Sequence, residues 1–300
     1  MIRGKSLFAI LFIIIILVGA LLYVFSLSKP SKQFKAGTVF TVEEGESLSS
    51  LSSRLEYEGY IKSALGFRVL VSVLGRDKHI QLGGYTFDRP LPLYEVVKKM
   101  AYDNPDVPLV SITIPEGSTT FEIAEIIKKK LLNFSVDIFG EKVSEKKLDG
   151  KLFPSTYYLL PSTTEDRAIE IMNSTFEKKY SEMFATSTIP APLKNRDDVI
   201  NLAAILEGEA KTEVDMQIVA GILLQRLKKN MRLQVDVAME TYAKTGLSFV
   251  PINNPGLNSI QAVFNPEHTS YLYYLTGPDG TMYYSKTFAE HKNNIKKYLK

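Results

Sequence analysis

The sequence contains no cysteine, which excludes disulfides, thiolate chemistry and lipid attachment through an N-terminal cysteine. That absence suits a compartment outside the cytoplasm, where stray thiols are a liability. Histidine is almost as scarce. His79, His268 and His291 stand far apart, with neither H-x-x-x-H nor H-E-x-x-H spacing, so no dedicated metal site is expected. Basic charge is not concentrated either: the formal net charge is only +3, with Lys and Arg scattered among Asp and Glu. Nucleic-acid binding would require a basic stripe, so no nucleic-acid partner is expected. Lys292, Lys296, Lys297 and Lys300 read more simply as a solvated helix face.

Three hundred residues with 45% hydrophobic content suffice for a membrane segment and one or two modest globular domains. Leu7 to Leu27 carries no charge and is almost wholly Leu, Ile, Val, Phe and Ala. As a helix it would extend about 31 Å at roughly 1.5 Å per residue, the thickness of a bilayer core. It is longer than the apolar region of most signal peptides, which favours an uncleaved single-pass anchor over cleavage at Ser26-Leu27-Ser28. Lysines follow the span as well as preceding it, so positive charge does not decide orientation. A short tail (residues 1–6) and a large following domain predict an N-in, C-out topology.

After a polar linker (residues 28–37), Val39–Val42 is strand-like, and Ser47 can cap a helix with Leu48, Leu51 and Leu55 on one face. A second helix is predicted around 62–74, a turn and strand at Gly83–Phe87, and a helix from Pro92 through Met100. The strand–Gly–Ser–helix pattern recurs at Ile112–Ser118, followed by Phe121, Ile123, Ala124, Ile126 and Ile127. This weak internal repeat suggests small α+β modules. Further on, 133–150 predicts loop and a short helix, 152–161 an extended apolar segment and 164–183 a helix. The densest helical pattern covers 197–229. A Tyr-rich hairpin over 271–284 turns at Gly277-Pro278-Asp279-Gly280, and its aromatics Tyr273, Tyr283, Tyr284 and Phe288 read as packing residues rather than sugar platforms.

The chemistry-bearing feature is an acid at the end of an apolar helix. Val199 to Leu206 is apolar nearly all round and should be buried. It runs directly into Glu207-Gly208-Glu209. At 100° per residue, Glu207 continues the face of Ile200, Ala203 and Ala204, where small residues leave room for a ligand. Glu209 lies roughly opposite, with Leu202, Ile205 and Leu206, and reads as a structural acid that could pair with Lys211 or Arg226. The surroundings of Glu207 suit a general acid. A second carboxylate of the kind ordinary glycosidases use is not evident, although Asp236 and Glu240 are available. An acid at this point can also be no more than the place where a helix reaches the surface.

These residues carry a resemblance. Ala203-Ala204-Ile205-Leu206-Glu207-Gly208-Glu209-Ala210, Val219 to Leu227, and Met231-Arg232-Leu233-Gln234-Val235-Asp236 look like successive motifs of the YceG-like family of endolytic murein transglycosylases. Further matching blocks are Leu148 to Tyr157, Asn254-Pro255-Gly256 with Ser259-Ile260, Asn265-Pro266, Tyr271 to Tyr274, and Thr287 to His291. Where the family has E-K-E and L-Q-[ST]-D-P-T, this chain has Glu207-Gly208-Glu209 and Leu233-Gln234-Val235-Asp236-Val237-Ala238. The family's longer Pro- and Gly-rich stretch after Asp236 is reduced to a short segment ending near Ile252.

The resemblance implies an α+β fold: a LysM-like module at 38–105 and a mixed α/β catalytic domain at 106–300 with a buried central helix. It implies cleavage of nascent peptidoglycan glycan strands at the outer face of a bacterial cytoplasmic membrane, near cell-wall synthases, without cofactor or metal. The catalytic role falls on Glu207, with Glu209, Arg226, Gln234, Asp236 and Asn254 lining or bracing the cleft. Such an enzyme needs one acid, because the sugar's own 6-hydroxyl closes onto the anomeric carbon. The alternative is a catalytically silent, peptidoglycan-binding scaffold.

Overall fold

The structure, a computed structural model, describes residues 29–77, 79–247 and 250–299. The expected span at Leu7–Leu27 lies outside them, and among the described residues no helix is long and apolar enough to cross a membrane. Among the described residues the architecture is mixed α+β, with helices predominating over three two-stranded sheets. The chain divides into two compact units, one ending at Val110 and one beginning at Ser111.

In the first unit, β1 (Val39–Val42) pairs antiparallel with β2 (Gly83–Thr86), with Val39 opposite Thr86 and Val42 opposite Gly83. Between them run α1 (Leu48–Tyr57) and α2 (Ala64–Val73). Ser47 and Ser63 cap these helices by accepting the backbone N–H groups of Ser50 and Gly66, which satisfies donors that a helix start leaves free. α3 (Leu93–Tyr102) follows β2, with Pro92 at its N-cap. Apolar faces of all five elements close one core, including Phe40, Leu55, Phe67, Val71, Tyr85, Val97 and Met100.

The same element order opens the second unit. β3 (Val110–Thr113) leads into α4 (Thr120–Lys128), α5 (Val136–Glu145) and β4 (Thr156–Leu159), which hydrogen-bonds back to β3. The internal repeat read from the sequence is therefore a repeated β–α–α–β order, and each first strand is followed by a left-handed glycine, Gly45 at φ +71° and Gly117 at φ +74°. The second helix of this repeat was expected only as a short piece amid loop; α5 occupies ten residues. Thr119, not Ser118, caps α4, in a capping box with Glu122.

The rest of this unit packs on α7 (Arg196–Glu209), preceded by the long α6 (Glu165–Thr186) and followed by α8 (Glu213–Lys228). The helical pattern at 197–229 is thus two helices, broken at Ala210 and restarted by the Thr212 cap. Every residue of α7 from Val199 to Leu206 is buried, as an all-round apolar helix requires. α9 (Leu257–Phe264) crosses it and completes a core of Phe176, Ile200, Ile205, Leu223, Ile260 and Val263. The hairpin β5 (Tyr273–Thr276) and β6 (Met282–Ser285) turns through Gly277–Gly280, and α10 (Phe288–Tyr298) exposes its lysines, with none of its residues buried.

Candidate active site

Glu207 lies in the last turn of α7, where the buried helix first meets solvent: Leu206 is fully buried, Glu207 partly exposed and Gly208 exposed. Its Oε2 accepts the backbone N–H of Gly256 at 2.9 Å. Gly256 is the N-cap of α9 and supplies no capping side chain, so the carboxylate of Glu207 meets one of the donors the helix start leaves free, at the positive end of its dipole. The segment that delivers Gly256 is fastened nearby. Asn253 Nδ2 donates to the Ala204 carbonyl at 2.9 Å, tying it to the same face of α7 that carries Glu207.

Asn254 performs most of the fastening. It is 1% exposed, and its side chain accepts from Leu152 N at 2.8 Å and donates to the Ser118 carbonyl at 3.0 Å. Its backbone exchanges hydrogen bonds with the Gly117–Ser118 turn: Gly117 N to Asn254 O at 3.0 Å, and Asn254 N to Ser118 O at 3.0 Å. One buried amide therefore joins three segments far apart in sequence, and leaves no polar group of its own unpaired. Asn254 braces the site from beneath.

The turn held in this way brings in a residue that sequence reasoning missed. Glu116 sits just after β3, its carboxylate faced by the Leu257 backbone N–H, and burial and then the charge of Glu207 push its carboxyl above the usual carboxylate range. A Cβ at Gly256 would strike the Glu116 carboxylate, and one at Gly117 would lie 3.3 Å from Glu207 Cγ. Glycine at both positions is what lets the two acids approach α9 together. The available signal was the Pro115-Glu116-Gly117 turn at the head of the second repeat, but nothing local in it points toward residue 207.

On the other side of the helix end, Glu209 belongs to a separate cluster. Its Oε2 accepts from the Tyr274 hydroxyl at 2.9 Å and its Oε1 from Val237 N at 3.3 Å. Burial, and to a lesser extent Asp236, raises its carboxyl above the ordinary range despite these bonds. Among the described residues it forms no ion pair with Lys211 or Arg226; Tyr274 takes that place. Asp236 is exposed and accepts from the Tyr242 hydroxyl at 2.5 Å. Arg226 is buried and is directed at backbone, with Nε on the Leu272 carbonyl at 2.6 Å and Nη1 on the Leu233 carbonyl. Burial lowers its proton affinity. Its guanidinium also lies 5.2 Å from the centre of the Tyr273 ring, so it pins the 233 segment to the hairpin.

Gln234 is exposed and in the left-handed region at φ +49°, with its N–H on the Thr241 carbonyl at 3.3 Å. This tight turn is closed by Thr241, whose hydroxyl accepts Val235 N at 3.0 Å and donates to the Ala238 carbonyl at 2.6 Å. The helix-like run after Asp236 amounts to a single 3-10 turn, Met239–Tyr242. Of the residues singled out from sequence, the structure therefore gathers Glu207 with Asn254, and Glu209 with Asp236 above Arg226, on two sides of one helix end.

Two unusual residues are explained by packing. A Cβ at Gly208 would come within 2.8 Å of Val237 Cγ1. The glycine between the two acids is what allows a branched side chain at 237 to close over the helix end.

The sequence model of the YceG-like family matches residues 40–240 and 239–297, two stretches that meet at the 3-10 turn after Asp236. The endolytic murein transglycosylase of Bacillus subtilis (strain 168) is 28% identical, the alignment covering 95% of this chain and 91% of that protein. The endolytic murein transglycosylase of Streptococcus pneumoniae serotype 2 (strain D39) is 24% identical across 86% of this chain and 58% of its own length. A 2.6 Å crystal structure of a yceG-like protein from Listeria monocytogenes has a similar fold, with a TM-score of 0.52 and 25% identity over 86% of this chain and 99% of that one. With the match running through Glu207 and through the segments that hold it, the chain belongs to the YceG-like family.

Proposed function

We propose that this protein is an endolytic murein transglycosylase that cleaves peptidoglycan glycan strands between MurNAc and GlcNAc. The observation that carries the proposal is the placement of Glu207: an acid at the end of a buried helix, partly exposed, its carboxylate held by the Gly256 N–H. The named relatives from B. subtilis and S. pneumoniae support it. In the reaction, Glu207 donates its proton to the glycosidic oxygen as the bond from the MurNAc anomeric carbon breaks. It then takes the proton of that sugar's 6-hydroxyl as O6 bonds to the anomeric carbon. The proton count closes on one carboxyl, water is not consumed, and the product ends in 1,6-anhydro-MurNAc.

The same reading places Leu7–Leu27 as a single-pass anchor in a bacterial cytoplasmic membrane, with the folded units outside and cell-wall synthases as neighbours. The β1–α1–α2–β2 order of the first unit supports a LysM-like, glycan-holding role for it. The silent-scaffold alternative draws no support from a site in which the acid is present and held.

Mass spectrometry of glycan strands digested by the full-length protein tests the reaction. Product ends lighter by one water than reducing MurNAc are expected, with or without a chelator. Reducing ends would instead mark a hydrolase with a second working carboxylate, and undigested strands would mark a binding protein.

A further inference from the structure

The turn after Gln234 presents part of its apolar surface to solvent. Val235, Ala238 and Thr241 are buried, whereas Val237, Met239 and Tyr242 stand 37%, 69% and 38% exposed. Singly, exposed apolar side chains need no explanation; three within residues 237–242, on a turn fixed from several sides, make a surface. The Thr241 hydroxyl closes the turn against Val235 N and the Ala238 carbonyl, and Val237 N is bonded to Glu209. The Tyr242 hydroxyl donates to Asp236 Oδ1 at 2.5 Å, which fixes where the ring stands. This surface adjoins the acid, because Val237 packs over Gly208, the residue after Glu207. Asp236 and Gln234, both exposed, add polar groups to it.

We propose that the 236–242 turn is a saccharide platform that holds the glycan strand beside Glu207, with the Tyr242 ring as its stacking surface and Asp236 as its acceptor for sugar hydroxyls. The proposal deepens the transglycosylase reading and rests on it. A pyranose ring has an apolar C–H face and a rim of hydroxyls, so it fits a site where an aromatic face and a fixed acceptor stand together. The negative face of an aromatic ring attracts polarised C–H groups. An ionised carboxylate has about four acceptor positions, so taking the Tyr242 hydroxyl leaves Asp236 capacity for a sugar hydroxyl. The N-acetyl methyl groups of the glycan suit the exposed Val237 and Met239. Because the bond to Asp236 already holds the ring, little side-chain freedom is lost on binding, which favours affinity. A partner protein could cover the apolar side chains as well, but their position beside the acid favours the glycan.

The test follows the ring itself. Full-length Glu207→Gln protein, labelled with ring-13C tyrosine, is titrated with peptidoglycan glycan strands, and the Tyr242 signal is assigned from Tyr242→Phe. That signal should move as glycan is added, whereas glycan held by the first unit alone would leave it in place. With Glu207 intact, Tyr242→Ala should raise KM about two- to tenfold, with a far smaller change in kcat, because stacking is made in the ground and transition states alike. Tyr242→Phe, which keeps the ring but not the bond to Asp236, should recover most of that loss. Tyr242→Leu fills the space without a π face and replaces the Ala variant if that one fails to fold. The platform is overturned if saturating glycan leaves the Tyr242 signal unmoved, or if the Ala variant, or Leu in its stead, keeps the parent KM. Failure of the transglycosylase reading looks different: the parent protein would leave glycan strands uncut, whatever the Tyr242 signal does.

Discussion

The backbone N–H of Gly256 donates to the carboxylate of Glu207 across 49 positions of sequence, at 2.9 Å. That bond makes the start of α9 part of the site. It orients the carboxylate, and it allows a second acid from a third segment to stand beside it. Glycine is needed there for space alone, since its φ of −79° is open to any residue.

Glu207→Gln should keep the fold and stop the chemistry. The amide oxygen can still accept from Gly256, but the amide cannot donate and recover a proton. Turnover should fall by about 10²–10⁴-fold, the usual worth of a general acid–base group, with the thermal midpoint near that of the parent. Strand digestion followed by chromatography measures the first quantity and calorimetry the second. A fully active variant would end the assignment.

Gly256→Ala should damage the site through Glu116. The added methyl points into the Glu116 carboxylate, which must leave its place over the Leu257 N–H. Overpacking of this kind costs about 1–3 kcal/mol. A drop in denaturation midpoint, accompanied by loss of turnover, is expected. Pairing the change with Glu116→Ala should restore the stability, since the clash is then removed.

Glu209→Gln bears on pH dependence. The carboxyl of Glu209 is raised in the folded protein by burial and by Asp236, so its favourable contribution is fully present below the unfolded carboxyl pKa. That contribution is lost as pH rises through the folded value. The Gln variant does not ionise. It should therefore be more stable than the parent at neutral pH, and the difference should vanish on acidification below the ordinary carboxylate range. Chemical denaturation at several pH values checks this. An advantage that grew toward acid would mean that the Tyr274 and Val237 hydrogen bonds outweigh the burial of the charge.

Gly208→Ala should be destabilising alone and tolerated with Val237→Ala. The new methyl would meet Val237 Cγ1 at 2.8 Å, a contact that Ala at 237 removes. A double-mutant cycle on unfolding free energies should give a favourable coupling of about 0.5–3 kcal/mol. Additive effects would show that Val237 simply turns away.

The sequence by itself determined the local elements and the leading acid. The cap at Ser47, the turn at Gly277–Gly280 and the apolar run Val199–Leu206 are short-range facts, since each depends on residues within a turn or two of one another. The repeat was legible for the same reason, as a strand, a Gly-Ser turn and an amphipathic helix, twice. Glu207 stood out because an acid directly follows a helix with no polar side.

What only the tertiary structure decided is which groups stand next to that acid. Glu116, Gly256 and Asn254 come from three loops whose positions are set by long-range pairing: Gly117 with Asn254, Asn254 with Leu152, and Asn253 with Ala204. Local sequence patterns carry no record of such contacts. The same holds for Glu209, whose partner proved to be Tyr274 in a hairpin 65 positions away rather than a nearby cation. Once α7 is buried on all sides, its final turn is the first place where an acid can reach solvent, and the chain segments that cross it there choose its company.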